Sequence, residues 1–231
     1  MKKSYADMIR SSVWKMDDSS TLYWVKKIKN EFGLQILITK GLLTPHIILR
    51  QIYQILSKIG APLVKACGIK KLVVRGDMGP NKPYYPNHGY FHDDVVAINA
   101  DTFYSPDQPD DFFDYRGYFT TRPEQTLIHE FGHGFDEHHG MLSTKPAWLR
   151  LSGWSETPRP GLKRIVIQEP GSPLVIGEMF YDPKAKFTRF YAKRNSWDDW
   201  ADSFSFYIAG LKSCPENKAN YFKKLLSKYQ V

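Results

Sequence analysis

Apolar side chains recur at helical spacing in several stretches of the chain and in short β-type runs between them. Residues 21–32 (TLYWVKKIKNEF) read as an amphipathic helix, followed by the apolar stretch Leu34–Ile38. Thr44-Pro45 is a start signal, a capping residue followed by a proline at the first helical position. The helix it opens is expected to run to about Lys58 and to stop at Gly60. Lys71–Arg75 (KLVVR) and Val95–Ile98 read as strands, separated by a loop rich in Gly, Pro, Asn and Tyr. Leu127, Ile128, Phe131 and Phe135 repeat at helical spacing and predict a broad buried face. Thr121 and Glu124 form a T-x-x-E capping box before it, Pro123 falls in the first turn, and Gly140 is a natural stop. Met141–Trp154 reads as a short helix or turn packed by Trp148 and Trp154, and Arg164–Ile167 with Leu174–Ile176 as a hairpin. In the last third, Trp197, Trp200, Phe204 and Ile208 predict a helix from Ser196 to about Ala209, with S-x-x-D (Ser196, Asp199) as its box. A lysine-rich amphipathic helix follows from Pro215 to Tyr229.

The helix after Thr121 carries His129-Glu130-Phe131-Gly132-His133, an H-E-x-x-H pattern. Residues four apart lie about 40° apart around a helix and one turn apart along it. Both imidazoles can therefore reach one tetrahedral zinc. Glu130 follows the first ligand and can reach a water on the metal, as a general base. Chance would put this pattern into a chain of this length about once in a hundred sequences or less, and a start signal ahead of it makes accident a poorer explanation still.

Composition narrows the rest. The 231 residues hold 14 Tyr, 14 Phe and 6 Trp, enough for a sizeable core. Cys67 and Cys214 are the only cysteines, too few for a disulfide framework. No apolar run is long enough to cross a membrane, and Lys2-Lys3 is not followed by the apolar segment of a signal peptide. The default compartment is the cytoplasm. The net charge of +8 is uneven: residues 76–141 hold 12 acidic and 3 basic side chains, whereas the flanking thirds are basic. The metal helix thus lies in the acidic third, the reverse of what a nucleic-acid enzyme requires. His46, His88 and His92 have no partner at ligand spacing, and the aspartates of residues 104–118 form no regular calcium loop.

A catalytic zinc takes three protein ligands and keeps an open position. Three sources offer the third ligand. His139 stands ten residues after His129, the offset of H-E-x-x-H-x-x-G-x-x-H enzymes, but Asp136 occupies the place of the bending glycine. Glu156 and Glu178 lack a helical context. Asp198 lies on the Ser196 helix, with Asp202 one turn on and able to accept a hydrogen bond from a liganding histidine. Asp199 is left for capping. Asp136 projects on the ligand face beyond His133, placed to support a ligand from outside.

H-E-F-G-H-G-F-D, followed by Y-A-x-x-N-x-x-D-D-W-A-D-S-F, resembles the zincin metallopeptidases, and more narrowly the gluzincin-type catalytic domains of anthrax lethal factor and the Pro-Pro endopeptidases. The resemblance implies His129, His133 and Asp198 as zinc ligands and Glu130 as base. It also implies Tyr191 as hydrogen-bond donor to the oxyanion and Asp202 as the acid that orients a liganding histidine. The family's third ligand is Glu where this chain has Asp. Asp is one methylene shorter, so its helix must come closer to the metal.

The expectation is an α+β zincin-like domain with a small sheet, an H-E-x-x-H helix and a second ligand-bearing helix. Residues 71–231 would form the catalytic domain, and 1–70 a helical N-terminal part of it or a small lobe. Its function would be zinc-dependent cleavage of peptide bonds in a peptide or protein substrate, with neither membrane nor nucleic acid as partner. Two rivals share the ligands: a zinc hydrolase of a non-peptide amide, and a zinc-stapled binding protein. The second would need a fourth protein ligand, such as His139.

Overall fold

The computed structural model describes residues 18–39, 42, 44–76, 89–104, 122–168 and 174–229. Thr121, His88 and the acidic loop lie outside them, and so does the first half of the expected capping box. Helix α1 (Ser19–Phe32) starts at Asp18, whose carboxylate accepts from the Ser20 and Thr21 N–H groups, and ends at left-handed Gly33. The stretch after it is strand β1 (Gln35–Ile38). Helix α2 (Pro45–Ile59) begins after Thr44, whose side chain makes no capping bond. Only its backbone carbonyl receives the first N–H groups, those of Ile47 and Ile48. A short helix α3 (Ala61–Ala66) leads to β2 (Lys71–Arg75).

Strands β3 (Gly89–His92) and β4 (Val95–Asn99) form a tight hairpin. The sheet order is β1-β2-β4-β3, with β1, β2 and β4 parallel and β3 antiparallel at the edge. The central strands carry buried runs, Leu72–Val74 and Val96–Ile98, because helices cover the sheet. After one helical turn (Asp101–Tyr104) comes α4 (Arg122–His138), which carries the H-E-x-x-H segment. Leu127, Ile128, Phe131 and Phe135 are all buried on it. The carboxylate of Glu124 accepts from Lys58 Nζ of α2 at 2.8 Å, tying α2 to the H-E-x-x-H helix.

Helix α5 (Pro146–Ser152) and the three-stranded sheet β5-β7-β6 follow (Trp154–Ser155, Val175–Tyr181 and Lys163–Gln168). Helix α6 (Ser196–Ile208) packs on α4, and α7 (Glu216–Leu226) follows, ending in a 3-10 turn (Ser227–Tyr229). The architecture is α+β with small sheets. One apolar core runs from α1, α2 and the larger sheet through α4 to α6 and α7, with Trp200 stacked on Phe204 at 5.6 Å. A smaller cluster, Leu149, Trp154, Ile167 and Met179, lies under the hairpin.

Asp199 does not cap α6. It is wholly buried, where its carboxylate meets Lys218 Nζ of α7 at 2.5 Å and Trp154 Nε1 of β5 at 3.2 Å. Lys218 is equally buried, its ammonium 4.8 Å from the Phe187 ring centroid. Removing one partner of such a pair strands a charge without solvent. Lys218→Met is therefore expected to lower the free energy of unfolding by about 3–5 kcal/mol. Adding Asp199→Asn should recover much of it. Urea unfolding of the two variants checks this, and a single-variant loss under about 1 kcal/mol would show that the pair does not brace α6.

Candidate metal centre

Two helices bring the centre together. On α4, His129 and His133 are one turn apart with ring centroids 4.6 Å apart and planes at 87°. On α6, Asp198 falls in the first turn and points its carboxylate at both rings. The Nε2 atoms of His129 and His133 are 3.0 Å apart, and Asp198 Oδ1 lies 3.7 and 3.5 Å from them. Ligands on a tetrahedral zinc with bonds of about 2.0–2.1 Å sit about 3.3 Å from one another. The observed triangle therefore has the size that such an ion needs. This buried His129/His133/Asp198 group on two helices could hold a metal ion and is consistent with a zincin-like site.

The helices approach closely enough for an aspartate to reach. Gly132, inside the motif, faces Ala201 of α6. A Cβ on Gly132 would lie 3.1 Å from the Ala201 Cα and 3.2 Å from its carbonyl oxygen. The missing side chain lets the α6 backbone settle against α4.

The start of α6 differs from the sequence expectation by one residue. The cap is Asn195, not Ser196. Asn195 Oδ1 accepts from the Asp198 N–H at 2.7 Å, and its Nδ2 donates to Asp198 Oδ2 at 2.8 Å. The cap thus grips the ligand, leaving Oδ1 for the centre. Ser196 is buried, with its hydroxyl on Met179 Sδ. Serine and asparagine are both strong capping residues, and sequence alone did not choose between adjacent ones.

Asp202 lies behind His129, wholly buried, with Oδ1 2.8 Å from His129 Nδ1. Arg189 clamps it, Nη2 to Oδ1 at 2.6 Å and Nε to Oδ2 at 2.7 Å. Arg189 carries no sequence signal, since it precedes the expected helix in an irregular segment. Tyr191 sits in a single 3-10 turn (Tyr191–Lys193), its ring 5.6 Å from that of His129. Glu130 is buried behind the edge strand. A Cβ on Gly89 of β3 would come within 2.8 Å of Glu130 Oε1.

Charges in the centre are strongly coupled. Burial disfavours a charged His129, yet its bonds to Asp198 and Asp202 outweigh burial and push it up to about 10. Burial also opposes ionisation of Asp198, but the two histidines hold it well below the usual carboxylate range. Asp202 is lowered against its own burial by Arg189 and His129. Burial raises Glu130 and raises Tyr191 well above the usual phenol range, the latter helped by the charge on Asp198, so Tyr191 keeps its O–H. A site that draws a proton onto the His129 imidazole and holds Asp198 and Asp202 ionised is one that favours a cation at the same point.

The remaining sequence candidates make further contacts. His139 Nε2 engages the Ala66 carbonyl oxygen at 3.1 Å, and its ring lies 4.1 Å from that of Phe135. Both oxygens of Asp136 accept from Ser143, at 2.7 Å from the N–H and 2.5 Å from the hydroxyl, which pins the turn after α4. Glu178 pairs with Arg164 across the hairpin. Cys67 and Cys214 are buried free thiols. Among the described residues, no helix is long and apolar enough to cross a membrane. Neither a protein-family model nor a curated protein nor a solved structure matches the chain, so the centre is read from its own geometry.

Proposed function

We propose that the protein is a zinc-dependent endopeptidase of zincin type. The observation that carries this reading is the convergence of His129, His133 and Asp198 on one point, with Glu130 buried beside it. A zinc ion held by these three would supply Lewis acidity and a nucleophilic water at neutral pH. Glu130, the residue after the first ligand, takes the proton of the attacking water and returns it to the leaving amine. Tyr191, a phenol beside His129, donates its O–H to the oxyanion that develops on the scissile carbonyl.

The placement of β3 supports a peptide as the substrate. Among the described residues it is the edge strand of its sheet, and it runs against α4 at Glu130. An extended segment laid along such an edge pairs backbone to backbone, which brings its peptide bonds past the base. Among the described residues only three side chains form the ligand group, and His139 is engaged with the Ala66 carbonyl. That favours an open catalytic position over a closed structural site.

The test is a digest of peptide libraries and of a proteome, read by mass spectrometry, with wild type beside Glu130→Gln. New termini made only by the wild type establish the peptidase and give its preference. Identical digests from both chains, each loaded with zinc, would sink the peptidase reading and leave the metal centre standing.

A further inference from the structure

The carboxylate that holds His129 is itself held. Arg189 lies between β7 and the Tyr191 turn, outside both ligand helices, with only 10% of its side chain exposed. Its two bonds to Asp202 form a bidentate fork, which fixes the plane of the carboxylate as well as its position. A guanidinium has N–H donors and no acceptor, so both Asp202 oxygens that meet it act as acceptors. The nitrogen 2.8 Å from Oδ1, His129 Nδ1, must then carry the hydrogen. With the hydrogen there, Nε2 is the ring nitrogen left to face the point shared with His133 and Asp198 and to ligate an ion there.

The same guanidinium reaches two further parts of the centre. Its Cζ lies 5.0 Å from the centroid of the Tyr191 ring. Gln125, one turn before His129 on α4, faces it, and the amide oxygen of Gln125, when turned toward it, accepts from Arg189 Nη1 and Nη2. One buried cation therefore touches the support of a ligand, the helix that bears both histidines, and the ring of the candidate oxyanion donor.

We propose that Arg189 is a positioning residue of the metal centre: its fork locks Asp202, through Asp202 sets the tautomer and aim of His129, and its face seats Tyr191. This rests on the metal-centre reading and not on the substrate being a peptide.

Arg189→Met and Arg189→Lys, made in the full chain, test it. The readouts are the zinc dissociation constant by chelator competition, the visible spectrum of the cobalt(II) form, and the His129 Nδ1–H resonance in nitrogen-edited NMR. The melting temperature is followed alongside. Arg189→Met is expected to weaken zinc binding about 10–100-fold, the usual cost of losing an outer partner, and to shift or abolish the Nδ1–H signal. Arg189→Lys keeps the charge without the fork and should fall between. An arginine that merely braces the fold would lower the melting temperature and leave dissociation constant, cobalt spectrum and resonance unchanged, and that result overturns the proposal. Should the methionine variant not fold, the lysine variant decides: wild-type values of all three readouts overturn the proposal equally. A wild type that takes up neither zinc nor cobalt removes the centre and the role of Arg189 with it. A wild type that binds zinc and cleaves no peptide sinks the peptidase reading alone, while the Arg189 readouts stand.

Discussion

Glu130→Gln is expected to leave zinc bound and to lower peptide hydrolysis by about 10²–10⁴-fold, the usual weight of a positioned general base. Glutamine matches glutamate in size and keeps the contact with β3, where a Cβ on Gly89 would collide with the side chain of residue 130. What it loses is an oxygen that can take a proton. The candidate ligands are other residues, so metal content should not move. Zinc per chain by mass spectrometry, set beside kcat/KM for a cleaved peptide, separates the two effects. Wild-type turnover in the variant would remove Glu130 from the chemistry. Loss of zinc instead would mean that its carboxylate supports the metal rather than acting on water.

Asp198→Ala should have the larger effect on the metal. The loss of zinc affinity should exceed the roughly 100-fold that marks removal of an outer partner, because a ligand atom itself is gone. The fold should persist. Helix α6 is anchored by Trp200 and Phe204, both wholly buried, and the cap survives because Asn195 Oδ1 accepts from the backbone N–H of residue 198. The control is His139→Ala, which should leave zinc affinity unchanged since that imidazole is engaged with the Ala66 carbonyl. The opposite pattern, affinity lost in His139→Ala and kept in Asp198→Ala, would overturn the assignment of the third ligand. Chelator competition on the three chains settles it.

Much of this was legible in the sequence because it is local. A helix that carries two candidate ligands four residues apart announces itself by spacing, and the apolar face of α4 follows the period that its burial requires. The position of Asp198 on a second helix was legible for the same reason, with Asp202 one turn beyond it. The sheet was only half visible: Lys71–Arg75 and Val95–Ile98 read as strands, but nothing local says that Leu34–Ile38 joins them or that the three run parallel. Parallel pairing is decided by what covers the sheet, not by the strand itself.

The parts that sequence did not yield are those fixed across long separations. Arg189 meets Asp202 and Lys218 meets Asp199 through tertiary contact, with no spacing rule to mark either. A lysine in a lysine-rich helix reads as a surface residue, and the wholly buried Lys218 shows how burial is set by the partner element. Gly132 is the reverse case. It stands in plain view inside the motif, and only the packing of Ala201 against it shows why a side chain would be crowded there.

Asn195 both starts α6 and holds the free oxygen of Asp198, so for this helix fraying and letting go are a single event. End turns open more often than helix middles. Each opening here would carry away one donor of the centre and weaken the grip of the remaining two. The residence time of an ion would then be timed by the breathing of one helical turn, not by ligand exchange with bulk water. Loading the centre would in return slow that breathing, and the backbone amide of Asp198 would exchange its hydrogen with solvent at a rate that tracks the escape of the metal.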